Sequence, residues 1–393
     1  VLGYETRELE SDYRPDASSQ AADRTGAGGP IVALAGGYDV KEWFVELGLP
    51  VRDNFNLEAG LRFADYSTGN DTDAFKLGGY YQVNDQVSLR ATVQTATRHG
   101  SITELYRGQG SSLTDLDPDP CGTDPETNIG PSYTQAQCAN TGLPASLYGS
   151  DLKSPADQYN ILTGGNPNLV PEESESTTIG IVLTPDAIPG LTLTLDYFDI
   201  VVEDKIGTIP ASTSLKNCLE TGNPTFCNLI ERDPIAGTLW VSPGQIITTN
   251  TNVAEESMTG FDLIFDYMLE TGLGPIDIKG ITTFTESNEL TVMPGEAAIE
   301  CAGYYGKSCG KNPMPEVAGN YTASLSRGNL DYVFGMRYLG ETEDLNTTAI
   351  DFEDKTYFDV TVNYQFSDSM SFTAGASNIS VSYTHLTLPT NSN

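Results

Sequence analysis

The sequence predicts an all-β chain in which one large antiparallel sheet is rolled into a transmembrane β-barrel with long outer loops. Three observations carry that expectation. From Glu175 to Asp204 the chain reads E-S-T-T-I-G-I-V-L-T-P-D-A-I-P-G-L-T-L-T-L-D-Y-F-D-I-V-V-E-D. Ile179, Ile181 and Leu183 fall on one face, the turn Pro185–Gly190 follows, and Leu191, Leu193, Leu195 and Tyr197 then alternate with Thr192, Thr194 and Asp196. Side chains of a strand point to opposite faces at period two, so this is a hairpin with one apolar and one polar face. The same unit recurs along the chain, its connections alternating between short turns and long loops, with all the short turns at one end. Aromatic residues near strand ends, Trp43, Phe44, Tyr80, Tyr81, Tyr197, Phe198, Tyr338 and Phe366, suit the interfacial girdles of a membrane barrel.

Taken in order, Val1–Glu10 is a first strand and a polar loop runs through Gly29. Tyr38–Leu49 is a second strand, and Asn56–Tyr66 follows a turn at Arg52-Asp53. Ala74–Val83 returns through Asn84-Asp85 to a strand in which Val87, Leu89, Ala91 and Val93 alternate with Ser88, Arg90, Thr92 and Gln94. His99–Glu173 is the longest irregular segment, and a loop of that length is either functional or an argument against the strand assignment. After the hairpin comes a second long loop, Gly207–Gln245. Phe261, Leu263, Phe265 and Tyr267 then mark a strand whose partner is Ile276–Thr291. A loop at Met293–Pro315 leads to the strands Tyr321–Ser326 and Leu330–Leu339. A loop at Gly340–Asp354 leads to the strands about Phe358–Phe366 and Met370–Ile379. About thirteen strands result.

Composition narrows the function. The net charge is -34, from 54 acidic and 20 basic residues. That excludes nucleic acid as a partner, because phosphate neutralisation needs Lys and Arg. It suits a hydrated outer surface or cationic ligands. Two His leave almost no scope for a His-rich metal site. No run of about 18 apolar residues is present, so no transmembrane helix is expected, a result that does not bear on a barrel. A soluble sandwich has the same periodicity with its faces reversed; strand length and one-sided loops favour the membrane.

The six cysteines form three local pairs, Cys121 with Cys138, Cys218 with Cys227 and Cys301 with Cys309, each bracketing a Gly/Pro/Asn-rich loop. In an exported protein this favours disulfides that pin the loops. The alternatives are zinc, for which no C-x-x-C knuckle is present, or free structural thiols. Asp115, Asp117 and Asp119 alternate as calcium ligands can. The Gly and terminal Glu of an EF-hand loop are missing and Pro118 and Pro120 stiffen the run, which favours a solvated loop. Glu172, Glu173 and Glu175 read as a charged strand entrance rather than an acid/base pair. No Ser-His-Asp or Cys-His constellation stands out, so no enzyme, cofactor or metal is expected.

Three motifs resemble one family. Ala96-Thr97-Arg98-His99-Gly100-Ser101-Ile102-Thr103-Glu104-Leu105-Tyr106 is similar to a strand-end motif of TonB-dependent outer-membrane receptors, R-A-P-s-x-x-E-L-[FY]. Gly165-Asn166-Pro167-Asn168-Leu169-Val170-Pro171-Glu172 resembles their G-N-P-x-L-x-P-E signature, and Ala376-Ser377-Asn378-Ile379 resembles the G-x-x-N-L before the last strand. His99-Gly100 stands where the family has Ala-Pro. The resemblance implies a partial barrel over residues 1–380, about strands nine to twenty-one of the family's 22. No plug domain and no TonB-contacting box is visible in it. The chain thus reads as a fragment, and an odd strand number would leave two open edges. Val381–Thr390 resembles a translated sequencing-library adapter, so residues 381–393 are read as an artefactual tail and His385 carries no argument.

The resemblance further implies a receptor in the outer membrane of a Gram-negative bacterium, in contact with its lipid. It would import a scarce solute with energy delivered by the TonB complex through plug and box. A carbohydrate or other organic nutrient is preferred to a ferric siderophore; a passive porin or a secreted β-rich adhesin is the alternative. The motif Gly165–Glu172 reads first as a turn-rich descent into a strand, with Pro167 and Pro171 fixing φ. Candidate ligand contacts are the loop aromatics Tyr106, Tyr133, Tyr148, Tyr159 and Trp240; the same rings would equally well pack on one another.

Overall fold

The computed structural model describes residues 1–21, 23, 30–293, 296–306, 309, 312–345 and 351–380. The tail 381–393 lies outside the described residues. Thirteen strands lie side by side in chain order: β1 (Leu2–Tyr13), β2 (Leu34–Arg52), β3 (Phe55–Tyr66), β4 (Asp71–Asn84), β5 (Val87–Arg98), β6 (Glu172–Leu183), β7 (Leu191–Gly207), β8 (Thr251–Thr271), β9 (Gly274–Thr291), β10 (Val317–Arg327), β11 (Leu330–Leu339), β12 (Lys355–Ser367) and β13 (Met370–Ala376). Each is antiparallel to the next, and among the described residues β1 and β13 end the order. No helix is long and apolar enough to cross a membrane, which says nothing of strands.

The register fixes the faces. Trp43 opposes Phe63, Phe55 opposes Tyr81, Tyr81 opposes Leu89, Leu89 opposes Ile181, Ile181 opposes Leu195 and Leu195 opposes Leu263. On the far side of the sheet Leu325 opposes Tyr332, which opposes Val362. Cross-strand partners share a face, so these residues make one continuous apolar band, and many of them are exposed. The other face carries charge in pairs. Glu42 bridges Arg7 and Arg62, Lys76 meets Glu58 at 3.0 Å, and Lys279 lies 3.2 Å from Asp266 and 3.0 Å from Asp277. Arg90 donates to Asp196 through Nε at 2.8 Å. Gly180 makes room for that pair, since a Cβ there would lie 1.8 Å from an Asp196 oxygen. A concavity of about 630 Å³ lies on this polar face, beside Glu5, Phe44, Glu58, Arg62 and Lys76.

Three of the girdle aromatics are corrected by this register. Phe44, Tyr80 and Phe198 lie next to Trp43, Tyr81 and Tyr197 in the chain, so at period two they face the polar side. There Phe44 covers Gly3, Tyr80 donates its hydroxyl to Ser88 at 2.8 Å, and Phe198 covers Gly260. The connection order also has one exception. The short loop 67–70 joins β3 to β4 at the end that otherwise carries the long loops 14–33, 99–171, 208–250, 292–316 and 340–354. Several strands run further than their alternation: β8 starts at Thr251, well before Phe261, because ladder hydrogen bonds continue where the sequence no longer alternates. β13 stops at Ala376 rather than Ile379, where Asn378 turns the chain at φ 55°.

The two longest segments, 99–171 and 208–250, are folded, not irregular. The strands Gly110–Asp115, Gln158–Thr163, Gln245–Ile247 and Ile230–Glu231 form a separate four-stranded sheet. The helices Ala211–Thr221 and Gln135–Asn140 lie beside it, the first ended by Gly222 at φ 67°. Most of the buried apolar side chains sit here rather than in the barrel wall: Leu143, Leu152, Tyr159, Leu215, Leu219, Leu239 and Ile246 among them. Apolar burial in water drives such packing. The disulfides Cys121–Cys138 and Cys218–Cys227 pass through this core, and Cys301–Cys309 pins the loop after β9. The loops after β5 and β7 thus make one cap.

Candidate functional site

The cap meets the barrel where two of the sequence motifs converge. At the end of β5 Ser101 caps the helix Ile102–Tyr106. Its hydroxyl accepts from the Glu104 amide at 3.2 Å, while the Ser101 amide donates to the Glu104 carboxylate at 2.7 Å. This reciprocal capping box satisfies two otherwise orphan donors. Arg98, the last residue of β5, then grips two carboxylates. It donates to Glu172 twice at 2.6 Å and to Glu104 at 2.9 and 3.2 Å. Glu172 is buried, and it also accepts the Ile206 amide of β7 at 2.7 Å. A planar guanidinium with several fixed donors is the side chain suited to that double grip.

Electrostatics follow the geometry. Burial alone would raise the Glu104 carboxyl, but the Arg98 and Ser101 hydrogen bonds outweigh it and hold the group below its ordinary value. His99 is pushed down by burial. Its Nδ1–H donates to the Gly100 carbonyl at 2.9 Å, leaving Nε2 to accept the Thr68 hydroxyl at 2.8 Å. The ring stacks on Tyr66 at 4.2 Å and tilts against Tyr38 at 4.6 Å. His99 therefore supplies by packing the rigidity that the family's Ala-Pro supplies by a fixed φ.

The second motif is held by main chain. The Gly165 amide donates to the Arg107 carbonyl at 2.8 Å and the Asn166 amide to the Glu104 carbonyl at 2.9 Å. A Cβ at Gly165 would lie 2.7 Å from the Leu105 oxygen, so the approach needs glycine. The Asn166 carboxamide turns the chain by accepting the Asn168 amide at 2.9 Å, and donates to the Asn250 carbonyl at 3.0 Å. The Asn250 carboxamide in turn donates to the Glu104 main-chain carbonyl at 3.1 Å. Leu169 is buried, and Asn70 of the short loop donates to its carbonyl at 3.0 Å. Asn252 of β8 exchanges 2.9 Å bonds with Val170. Pro167 is exposed and Pro171 is partly buried before the first residue of β6.

Four of the five aromatic candidates come together in the cap. Tyr159 is 1% exposed and fills the core, while Tyr133, Tyr148 and Trp240 pack against it, half-buried. Tyr148 donates its hydroxyl to the Tyr133 carbonyl at 2.8 Å, Tyr133 to Glu220 at 3.2 Å, and Trp240 its indole N–H to the Leu152 carbonyl at 3.2 Å. Tyr106 stands apart and covers Gly36 of β2. Asp119 departs from the solvated loop expected for it. It is buried and takes Arg232 at 2.6 and 3.2 Å, while Asp115 and Asp117 are exposed. Pro118 and Pro120 turn the run so that its carboxylates part. Nothing in the sequence assigns a role to Arg98, Asn250 or Asn252. Arg98 stood inside a recognised motif; the two asparagines carry no local signal.

The clamp ties the folded cap to the ends of β5, β6 and β7. Among curated proteins nothing matches the chain. Among solved structures it is similar to the ferric enterobactin receptor PfeA of Pseudomonas aeruginosa, at 15% identity and a TM-score of 0.59 over 96% of this chain and 45% of that one. It is likewise similar to the siderophore receptor PirA of Acinetobacter baumannii, at 17% identity and a TM-score of 0.55 over 96% and 48%. At such identities the likeness is one of fold, and the chain spans less than half the length of either receptor. The family described as TonB dependent receptor-like, beta-barrel, matches residues 2–379. With that match across nearly its whole length, the chain belongs to the TonB-dependent receptor β-barrel family.

Proposed function

We propose that this chain forms the wall and outer cap of an active importer in the outer membrane of a Gram-negative bacterium. The observation that carries the reading is the cap itself: two loops with their own core and two disulfides, fastened by Arg98 above a concave polar wall. A passive porin has no use for a folded, clamped cap, and an adhesin has no use for a polar face opposite an apolar band. Energy would reach the whole protein from TonB through a plug and box, and the apolar band would meet membrane lipid.

The solute we favour is a neutral or cationic organic nutrient, a carbohydrate first. Residues 99–171 carry eight acidic and two basic side chains, and residues 208–250 carry three and two, so the cap repels anions. The ferric siderophore reading is favoured by what PfeA and PirA are named for. The test uses the full-length receptor in cells with and without TonB. Growth is measured on limiting neutral oligosaccharide and, separately, on ferric siderophore under iron starvation. TonB-dependent growth on the sugar supports the reading; TonB-dependent growth only on the siderophore replaces the solute; growth indifferent to TonB returns the porin.

A further inference from the structure

The apolar band stops abruptly towards the loop-bearing ends of β1–β4. On β2 it runs through Leu49, Leu47, Val45 and Trp43, every second residue, and the next residue on that face is Lys41. The neighbouring strands change at almost the same level. Tyr4 opposes Trp43 and Trp43 opposes Phe63, whereas one step nearer the loop 14–33 Thr6 opposes Lys41, Lys41 opposes Asp65 and Asp65 opposes Asp71. On β4 the change comes one step earlier, with Asp73 opposite Phe63. Aromatic rings on one side of such a level and charge on the other mark where a membrane barrel passes from acyl chains to headgroups.

A concavity of about 490 Å³ straddles that level, with Tyr4, Trp43 and Phe63 on its apolar side and Lys41, Asp65, Asp71 and Asp73 on its charged side. It lies on the face opposite the polar wall. Trp43 and Phe63 are 57% and 55% exposed, and the rings of Tyr4 and Trp43 lie 4.4 Å apart at 44°. Lys41 and the three aspartates are exposed. Among the described residues none of the four side chains has a hydrogen bond or an ion pair. On the polar wall, by contrast, Arg62, Lys76, Arg90 and Lys279 all have carboxylate partners.

One ammonium and three carboxylates at headgroup depth call for a ligand of both signs. A phosphate accepts from Lys41, and a primary ammonium donates to the aspartates, in charge-assisted hydrogen bonds about twice as strong as neutral ones. The acyl chains lie over the exposed rings. A headgroup with a phosphate and no amine meets three like charges, and a quaternary ammonium has no N–H to donate. We propose that Lys41, Asp65, Asp71 and Asp73, beside the rings of Trp43 and Phe63, form an outward-facing site for a membrane lipid whose headgroup joins a phosphate to a primary amine. The site rests on the outer-membrane placement of the barrel and is independent of import.

The test is native mass spectrometry of the full-length receptor, extracted in detergent, stripped of lipid and titrated with phosphatidylethanolamine, phosphatidylglycerol or phosphatidylcholine of matched chains. Phosphatidylethanolamine is expected to bind at least fivefold more tightly than either of the others. Lys41→Gln, and separately Asp65→Asn combined with Asp71→Asn, should each bring that preference below twofold. All three positions are exposed, and gel mobility of the unheated protein verifies assembly. Equal or tighter binding of phosphatidylglycerol or phosphatidylcholine, or a preference unchanged in either variant, overturns the site. A receptor that fractionates outside the outer membrane would sink site and importer reading together. Growth indifferent to TonB, with the lipid preference intact, would sink the importer reading and leave the site standing.

Discussion

Arg98 and Glu172, 74 residues apart in the chain, meet as a two-point ion pair with both contacts at 2.6 Å. The pair joins the end of β5 to the start of β6, the two strands between which the whole first cap segment is inserted. It fixes where the cap begins and ends on the barrel.

Removing the guanidinium leaves the buried Glu172 charge with only the Ile206 amide. Arg98→Ala is expected to cost about 2–3 kcal/mol, seen as earlier urea-induced opening of the cap by proteolysis between Arg107 and Lys153. Arg98→Lys should recover less than half, because an ammonium cannot grip two carboxylates in the plane of a fork. Full recovery by Lys would show that charge alone suffices.

Glu104 gives the clamp a pH dependence whose sign follows from its lowered carboxyl. A group depressed on folding contributes stability above its ordinary value, 4.5, and loses it as pH falls through the folded one. Hydrogen exchange over Ser101–Tyr106 and Gly165–Glu172, corrected for intrinsic rate, should lose protection below about pH 4.5. Glu104→Gln should flatten that step. A step of unchanged size in the variant would place the titration elsewhere.

Gly165→Ala forces a methyl group against the Leu105 oxygen at 2.7 Å and the Arg107 nitrogen at 2.8 Å. The expected cost is about 1–3 kcal/mol, read as a lower melting temperature of the purified barrel. Gly130→Ala, where a Cβ meets nothing within 4 Å, is the matched neutral change.

Trp240 is the half-buried candidate whose removal separates packing from contact. Trp240→Ala should weaken solute binding while the barrel assembles normally, and Trp240→Phe should restore the packing without the indole bond to Leu152. Unchanged uptake in the alanine variant would retire Trp240 as a contact. Tyr159, at 1% exposed, belongs to the core, and Tyr159→Ala is expected to open the cap at a cost of about 3–5 kcal/mol.

The barrel was legible because Leu195, Tyr197, Leu263 and Phe261 obey a period-two code on the face that forms the apolar band. Where both faces of a strand are polar, as at Glu255-Glu256-Ser257, no alternation exists and only the hydrogen-bond ladder reveals the strand. The cap was read as loop because its strands and helices are short and take their stability from long-range packing. Two local signals were nonetheless available, the boxes S-I-T-E at Ser101 and T-Q-A-Q at Thr134. The clamp itself was invisible: nothing local to Arg98 or to Glu172 says that one will meet the other.

That the buried core lies in the cap, while the wall turns its apolar side chains outward, gives one chain two different thermometers. The wall is held by a backbone ladder in a medium that offers no competing hydrogen bonds, and its outer side chains gain nothing from leaving water when the surroundings are already oil. The cap is held by apolar surface withdrawn from water, with the heat-capacity signature that entails. Calorimetry should therefore resolve two events: a cap transition with a large positive heat-capacity change and a stability maximum near 10–20 °C, and a wall transition without one. Cold would loosen the mouth of the receptor while leaving its wall intact.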